Sequence, residues 1–186
     1  MTFDMLPTLH TQRILLRPFR TGDAAAVQRL AGHPDIASTT ANIPHPYGDG
    51  VAEAWIATHA DRFARDESAI FAITLASTGE LMGSIGLEIR REHARAELGY
   101  WIGKPHWDQG YVTEAAREVV RFAFDDLGLR RVFAIHFVRN PASGRVMEKI
   151  GMVREGELRR HMVKDGLPED VRIWGIVPAD DRLLRR

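Results

Sequence analysis

Residues 96–120 read AELGYWIGKPHWDQGYVTEAAREVV. The opening part belongs to RAELGYWI, Arg95 to Ile102, which has the aromatic and branched content of a strand. The closing part starts an amphipathic helix over Thr113 to Leu127. Ala116, Val119, Val120, Ala123 and Leu127 share one face, and Glu114, Arg117, Glu118, Arg121 and Asp125 share another. Gly110 lies in the loop between them, where it lets the chain turn tightly and another group come close. The first amides of a helix have no internal partners, and the helix dipole adds partial positive charge there. Strand, glycine turn and helix start together suit a phosphate. With no Walker lysine and no GxGxxG, the same segment also describes an ordinary strand-to-helix turn.

Downstream, Gly128 suits a helix stop, and RVFAIHF, Arg131 to Phe137, reads as a strand. Asn140-Pro141 reads as an N-cap followed by proline at the first helical position. That helix runs through ASGRVMEKI and stops at Gly151. MVREGELRR and VRIWGIV are the last strands, joined across Asp165-Gly166, a tight-turn pair.

Upstream, RILLRPF (Arg13 to Phe19) is a first strand, and a short helix follows between Thr21 or Asp23 and Gly32. HPDIASTTANIPHPYGDG, His33 to Gly50, is a surface loop or a broken helix, and either a wall of a binding site or a connector. VAEAWIATHADRFARD is a second helix, with Ala52, Trp55, Ile56 and Phe63 on one stripe. AIFAITL and LMGSIGLEI are strands joined by a turn at Thr78-Gly79. The order of elements predicts a mixed α/β (α+β) fold in one domain over residues 1–186. Its core covers about residues 13–177, with PADDRLLRR (178–186) as a polar tail.

The composition narrows the function. Lys plus Arg and Asp plus Glu balance at 25 each, so no net charge draws the chain to nucleic acid or a membrane. There is no cysteine, which excludes disulfides, thiolate metal sites and a cysteine nucleophile. No His-x-x-x-His or HExxH pair is present, so no metal is expected. The start, MTFDMLPTLH, lacks the pattern of a signal peptide, and no apolar run reaches the roughly 18 residues of a membrane span. The expectation is a cytoplasmic protein.

AELGYWIGKPHWDQGYVTEAAREVVRFAFDDLGLRRV, then RNPASGRVMEKIGMVREGELRR, resembles the GNAT superfamily of acyl-CoA-dependent N-acetyltransferases. The likeness is greatest to the branch of RimJ/RimL-type ribosomal-protein acetyltransferases. LRPFRTGDAAAV near the start is similar to that branch's opening. The resemblance implies a twisted, mostly antiparallel sheet whose two central parallel strands splay apart, flanked by helices. It implies acetyl-CoA as cosubstrate, with backbone of Gly99, Tyr100, Trp101 and Ile102 along the pantetheine arm. The amides of Gln109, Gly110, Tyr111, Val112 and Thr113 would take the pyrophosphate. Asn140 and Ser143 carry over as further cofactor contacts. Three residues depart from the family pattern in this loop: Trp107 takes its first position, Asp108 adds a negative charge, and Val112 in its last position adds bulk.

Acetyl transfer needs a neutral amine, a stabilised oxyanion and help for the leaving thiolate. An α-amine titrates near ~7.7–8.0, whereas a lysine at ~10.4 costs about 4.6 kcal/mol to deprotonate at pH 7. By resemblance Glu97 is the expected base, through a water; a plain surface glutamate is the alternative. Many family members carry a tyrosine seven residues after the helix-opening asparagine. Here that position is Met147, which cannot donate a proton. Ser143 is the expected donor to the leaving group, as an acid or only as a hydrogen-bonding group. His136 is either a cleft-facing base or a buried structural histidine. Tyr47 is the expected substrate contact. Trp55, Trp101, Trp107 and Tyr111 read as core or wall residues.

The implied activity is N-acetylation of a primary amine, including a protein N-terminal α-amine. A small-molecule amine, amino acid or antibiotic acetyltransferase and a non-catalytic acyl-CoA sensor are the alternatives. Nucleic acid and membrane are not expected partners, whereas a homodimer is compatible with the family.

Overall fold

A computed structural model describes residues 5–178. The elements in chain order begin with β1 (Leu9–His10), β2 (Ile14–Pro18), α1 (Ala24–Ala31), α2 (Pro34–Thr39), α3 (Val51–Ala57) and α4 (His59–Ala64). Next come β3 (Ser68–Leu75), β4 (Leu81–Arg90), β5 (Arg95–Ile102) and α5 (Tyr111–Arg121). The chain closes with β6 (Arg131–Phe137), α6 (Pro141–Lys149), β7 (Val153–Lys164) and β8 (Leu167–Ile176). The strands form one sheet in the order β1-β2-β3-β4-β5-β6-β8-β7. Every neighbouring pair is antiparallel except β5 with β6.

Alternation along the central strands sorts side chains onto two faces. On one face Phe71, Ile73, Ile85, Leu87 and Leu98 join Val119, Ala123 and Met147 of the C-terminal helical segments in one apolar cluster. Phe71 meets Phe122 edge to face at 5.6 Å. The other face carries smaller residues. Ala72 packs with Val27, Ala31 and Ala52, with Trp55 and Trp101 against them. Each fully buried Val, Leu, Ile, Phe or Met contributes roughly 1.5–3 kcal/mol, and the alanines less, so the two clusters hold the helices to the sheet.

Several predicted boundaries shift. The helix expected from Thr113 begins at Tyr111, and after Arg121 it widens into a π-helical turn, Phe122–Asp126. Gly110 takes φ +79°, the left-handed value its loop position requires, and a two-residue earlier start follows from that turn. His33–Gly50 is the broken helix of the two readings: α2 opens on proline, with His33 Nδ1 accepting from the Asp35 amide at 3.2 Å. The single helix expected over residues 51–66 is interrupted at Thr58, whose hydroxyl bonds back to the Trp55 carbonyl at 2.8 Å. The last two strands run further than predicted, up to the turn at Asp165 (φ +50°) and Gly166 (φ +78°). The expected polar tail, 178–186, lies outside the described residues from position 179 on. Among the described residues no helix is long and apolar enough to cross a membrane.

Candidate active site

The parallel pairing of β5 with β6 is short. It covers Arg95↔Arg131, Ala96↔Val132 and Glu97↔Phe133, then stops, while β5 stays paired with β4 through Ile102. From Leu98 to Ile102 one edge of β5 therefore has no strand beside it. The gap opens into a cavity of about 420 Å³. Gly99, Tyr100 and Trp101 of β5, and Ile135, His136 and Phe137 of β6, line it. Gly86 and Gly99 are register partners on its floor. A Cβ on Gly99 would meet nothing within 4 Å, so glycine there leaves open space rather than avoiding a clash. The segment from Thr39 to Tyr47 forms the opposite wall, with Trp55 of α3.

Two carboxylates enter this cavity. Glu88 and Glu97 are directly opposed on β4 and β5. Arg62 of α4 grips Glu88, with Nη2 at 2.6 Å from Oε2. Glu97 is half-buried and makes no such pair. Burial pushes its carboxyl above the ordinary value, and the charge on Glu88 adds to this, against Arg90 and His161. Among the described residues no lysine or arginine lines the cavity.

On the far side of β5, Tyr100 reaches α6. Its hydroxyl is 2.8 Å from Ser143 Oγ and 3.1 Å from the Ser143 carbonyl. Asn140 caps α6, its Oδ1 accepting from the Ser143 amide at 3.3 Å. Its side-chain oxygen is thus engaged in the cap. Ser143 and Met147 both line the cavity, and Met147 is buried.

The loop from Gly103 to Gly110 meets the start of α5. The first hydrogen bond of the helix runs from the Glu114 amide to the Gly110 carbonyl at 3.1 Å, which leaves the amides of Tyr111, Val112 and Thr113 ahead of it. Arg13 of the N-terminal segment clasps this turn. Its Nε donates to Glu114 Oε2 at 2.7 Å, its Nη1 to the Gln109 carbonyl at 3.0 Å, and its guanidinium lies 4.7 Å from the Tyr111 ring centre. The Gln109 side chain donates to the Pro105 carbonyl at 3.0 Å. Asp108 adopts φ +58°. Val112 and Thr113 turn inward and are buried, so the bulk of Val112 goes to the core rather than over the loop. Trp107 is anchored through Nε1 to the Ile102 carbonyl at 2.8 Å.

The gap thus brings Glu97, Gly99, Tyr100, Trp101, Ser143 and Tyr47 to one cavity. Gln109 to Thr113 stand apart from it at the start of α5, and Gly110 and Thr113 border a second hollow with Arg13, Arg117 and Lys149. Glu114 also lines it and pairs with Arg13, which leaves Arg117, Lys149 and the glycine-led helix start as the donors available to an anion. His136 is buried, its Nδ1 within 2.8 Å of the Phe137 carbonyl and its Nε2 facing α6 at Gly144. His136 thus combines features of the two readings, being buried and also lining the cavity. Sequence reasoning missed Glu88, Arg13 and the side-chain role of Tyr100. Strand alternation and antiparallel pairing could have found Glu88, because Glu97 needed a partner on the same face. Among the described residues no group of three or more His, Asp or Glu is placed to hold a metal ion.

A mixed sheet splayed beyond one short parallel pairing, with a glycine-led helix start after the splayed strand, is the fold that the sequence resemblance implied. Residues 13–153 match the model of the acetyltransferase (GNAT) domain. The chain is 33% identical over 174 residues to the uncharacterized N-acetyltransferase YoaA of Bacillus subtilis, covering 93% of this chain and 98% of that one. It is 33% identical over 103 residues to the putative ribosomal N-acetyltransferase YdaF of the same organism, covering 55% of this chain and 56% of YdaF. In fold it is similar to Mycobacterium smegmatis RimJ in complex with CoA-disulfide, with TM-score 0.84, 23% identity, and coverage of 96% of this chain and 90% of that one. The chain belongs to the GNAT family and is an N-acetyltransferase.

Proposed function

We propose that the protein moves the acetyl group of acetyl-CoA onto a primary amine, by direct attack of the amine on the thioester. The observation that carries this is the half-buried carboxylate of Glu97, which has no ion pair among the described residues, in the cavity where β5 parts from β6. The whole activity belongs to one domain with its core over about residues 13–177.

In this reading the open edge of β5 from Gly99 to Ile102 pairs with the amides of the pantetheine arm, and Gln109 to Thr113 take the pyrophosphate. Gly99 without a side chain keeps the path clear, and Arg13 holds the loop in shape. The amine enters between the Thr39–Tyr47 wall and the floor of β4 and β5, with Tyr47 against it. Glu97 accepts the amine proton through a water. The nitrogen–carbon bond forms, the carbon–sulfur bond breaks, and sulfur keeps the electron pair beside Ser143.

The charge of the cavity narrows the acceptor. The unpaired carboxylate of Glu97 favours a cationic amine, and among the described residues no lining lysine or arginine offers a partner to a free α-carboxylate. A protein N-terminal α-amine, flanked by a neutral amide, fits this better than a free amino acid. Its pKa also leaves a weak, water-relayed base with less to do.

The test is thiol release from acetyl-CoA over a panel of N-terminal peptides, amino acids and small amines, with cofactor binding followed by thermal shift. Turnover restricted to peptides supports the reading. Turnover only with small amines replaces the acceptor, and binding without turnover across the panel makes the protein an acyl-CoA sensor.

A further inference from the structure

We infer that Tyr100 is a positioning residue, whose hydroxyl holds Ser143 Oγ and so frees the Ser143 proton to face the departing sulfur. The inference rests on the proposed placement of the thioester beside Ser143.

The geometry sets up a choice between two hydrogen bonds. The Tyr100 oxygen lies within reach of both Ser143 Oγ, at 2.8 Å, and the Ser143 carbonyl, at 3.1 Å. A carbonyl only accepts, and each hydroxyl has one proton. When Tyr100 donates to the carbonyl, Ser143 donates its proton to Tyr100, and nothing points to the cavity. When Tyr100 donates to Oγ, the Ser143 proton is free. The exchange needs only rotation of two hydroxyl groups. Negative charge growing on a nearby sulfur favours the second arrangement, because it adds a charge-assisted bond.

Proton transfer is not part of this step. Burial pushes the Tyr100 hydroxyl up to about 12, against the opposing effect of the bond with Ser143. A thiol with pKa near ~8.5 is the stronger acid, so sulfur leaves as a thiolate and keeps its electron pair. The pair of hydroxyls stabilises it by hydrogen bonding alone, and solvent protonates it after release. This arrangement gives Met147, buried and without a donor, no part in the departure of sulfur.

The experiment is a double-mutant cycle with Tyr100→Phe, Ser143→Ala and the pair, measuring kcat, KM for acetyl-CoA and Tm. The expected result is a fall in kcat of roughly five- to tenfold for Tyr100→Phe. KM for acetyl-CoA should stay within about twofold, and the double variant should be no slower than Ser143→Ala alone. A wild-type kcat in Tyr100→Phe, with Ser143→Ala slow, overturns the inference and leaves the role of Ser143 standing. Additive losses, or a loss of Tm and KM together, also overturn it, since they mark a purely structural tyrosine. A wild-type rate in Ser143→Ala removes the underlying placement and the inference with it.

Discussion

Glu88 and Glu97 face each other across adjacent strands, and only Glu88 is neutralised by an arginine. The unneutralised member is the one proposed to take the proton. Its carboxyl is raised by burial first and by Glu88 second, so it titrates above the usual carboxylate range. A carboxyl raised in the folded state binds its proton more readily there than in the unfolded chain. Stability is therefore lost as the pH rises from the unfolded value through the raised one, and the full cost remains above it. Glu97→Gln should lower the acetylation rate at pH 7 by roughly 10²-fold and recover as rising pH deprotonates the amine. The same variant should raise Tm at neutral pH and lose that gain in acid. Steady-state rates and thermal melts between pH 4 and 9 check both halves.

Glu88→Gln removes the second cause and leaves the first. With one negative neighbour gone, the charged form of Glu97 is favoured and its pKa falls. The acid limb of kcat/KM should move to lower pH, with the plateau rate within about threefold of wild type. A limb that stays in place would mean that Glu97 does not set it.

Arg13 ties the N-terminal segment to the start of α5 through Glu114, Gln109 and Tyr111. Burial acts to raise the Glu114 carboxyl, but bonds from Thr11 and Arg13 outweigh it and hold it below the usual range. A depressed carboxylate stabilises the fold above its unfolded pKa and loses that effect as the pH falls through the folded one. Arg13→Ala should raise KM for acetyl-CoA several-fold with kcat nearly unchanged, and lower stability by about 1 kcal/mol. Titration calorimetry with coenzyme A and denaturant melts measure the two effects.

His59 sits between Phe19 and Trp55, with ring centres 5.4 and 4.4 Å away, and neither of its nitrogens has a partner. Burial, with Arg62 nearby, lowers its pKa to about 4. The unfolded chain takes the proton first, so stability is lost as the pH falls from ~6.5 towards 4. By pH 4 the loss is roughly 3 kcal/mol. His59→Phe should match or exceed wild-type stability at pH 7 and lead by a growing margin below pH 6. Equal acid sensitivity in the two proteins would dismiss this account.

Tyr47 lines the cavity opposite the sheet. Tyr47→Ala should raise KM for the amine roughly tenfold and leave KM for acetyl-CoA alone. A change in the acetyl-CoA constant instead would move Tyr47 from the amine side of the site to the cofactor side.

The sheet, the two C-terminal helices and the glycine turn were legible because each rests on local signals. Alternation, helical periodicity, Asn140 as a cap and Gly110 before a helix all act over a few residues. The break at Thr58, the π-helical turn after Arg121 and the extra length of the last hairpin were not legible. They depend on what the chain packs against. The same division holds for the site. Glu97 and Ser143 could be named from motif order, but Arg13 meets Gln109 across 96 positions and Tyr100 meets Ser143 across 43. Contacts at that distance have no periodic trace in a single sequence.

The shortness of the seam between β5 and β6 also has a mechanical side. Two half-sheets meet along only three opposed pairs, and the last of them contains Glu97. Beyond that pair no ladder of hydrogen bonds between β5 and β6 sets the width of the wedge, whereas Glu97 sits on the last rung that is paired. The carboxylate proposed as the base is thus fixed at the closed end of the wedge, and the open end is the part the sheet itself does not brace.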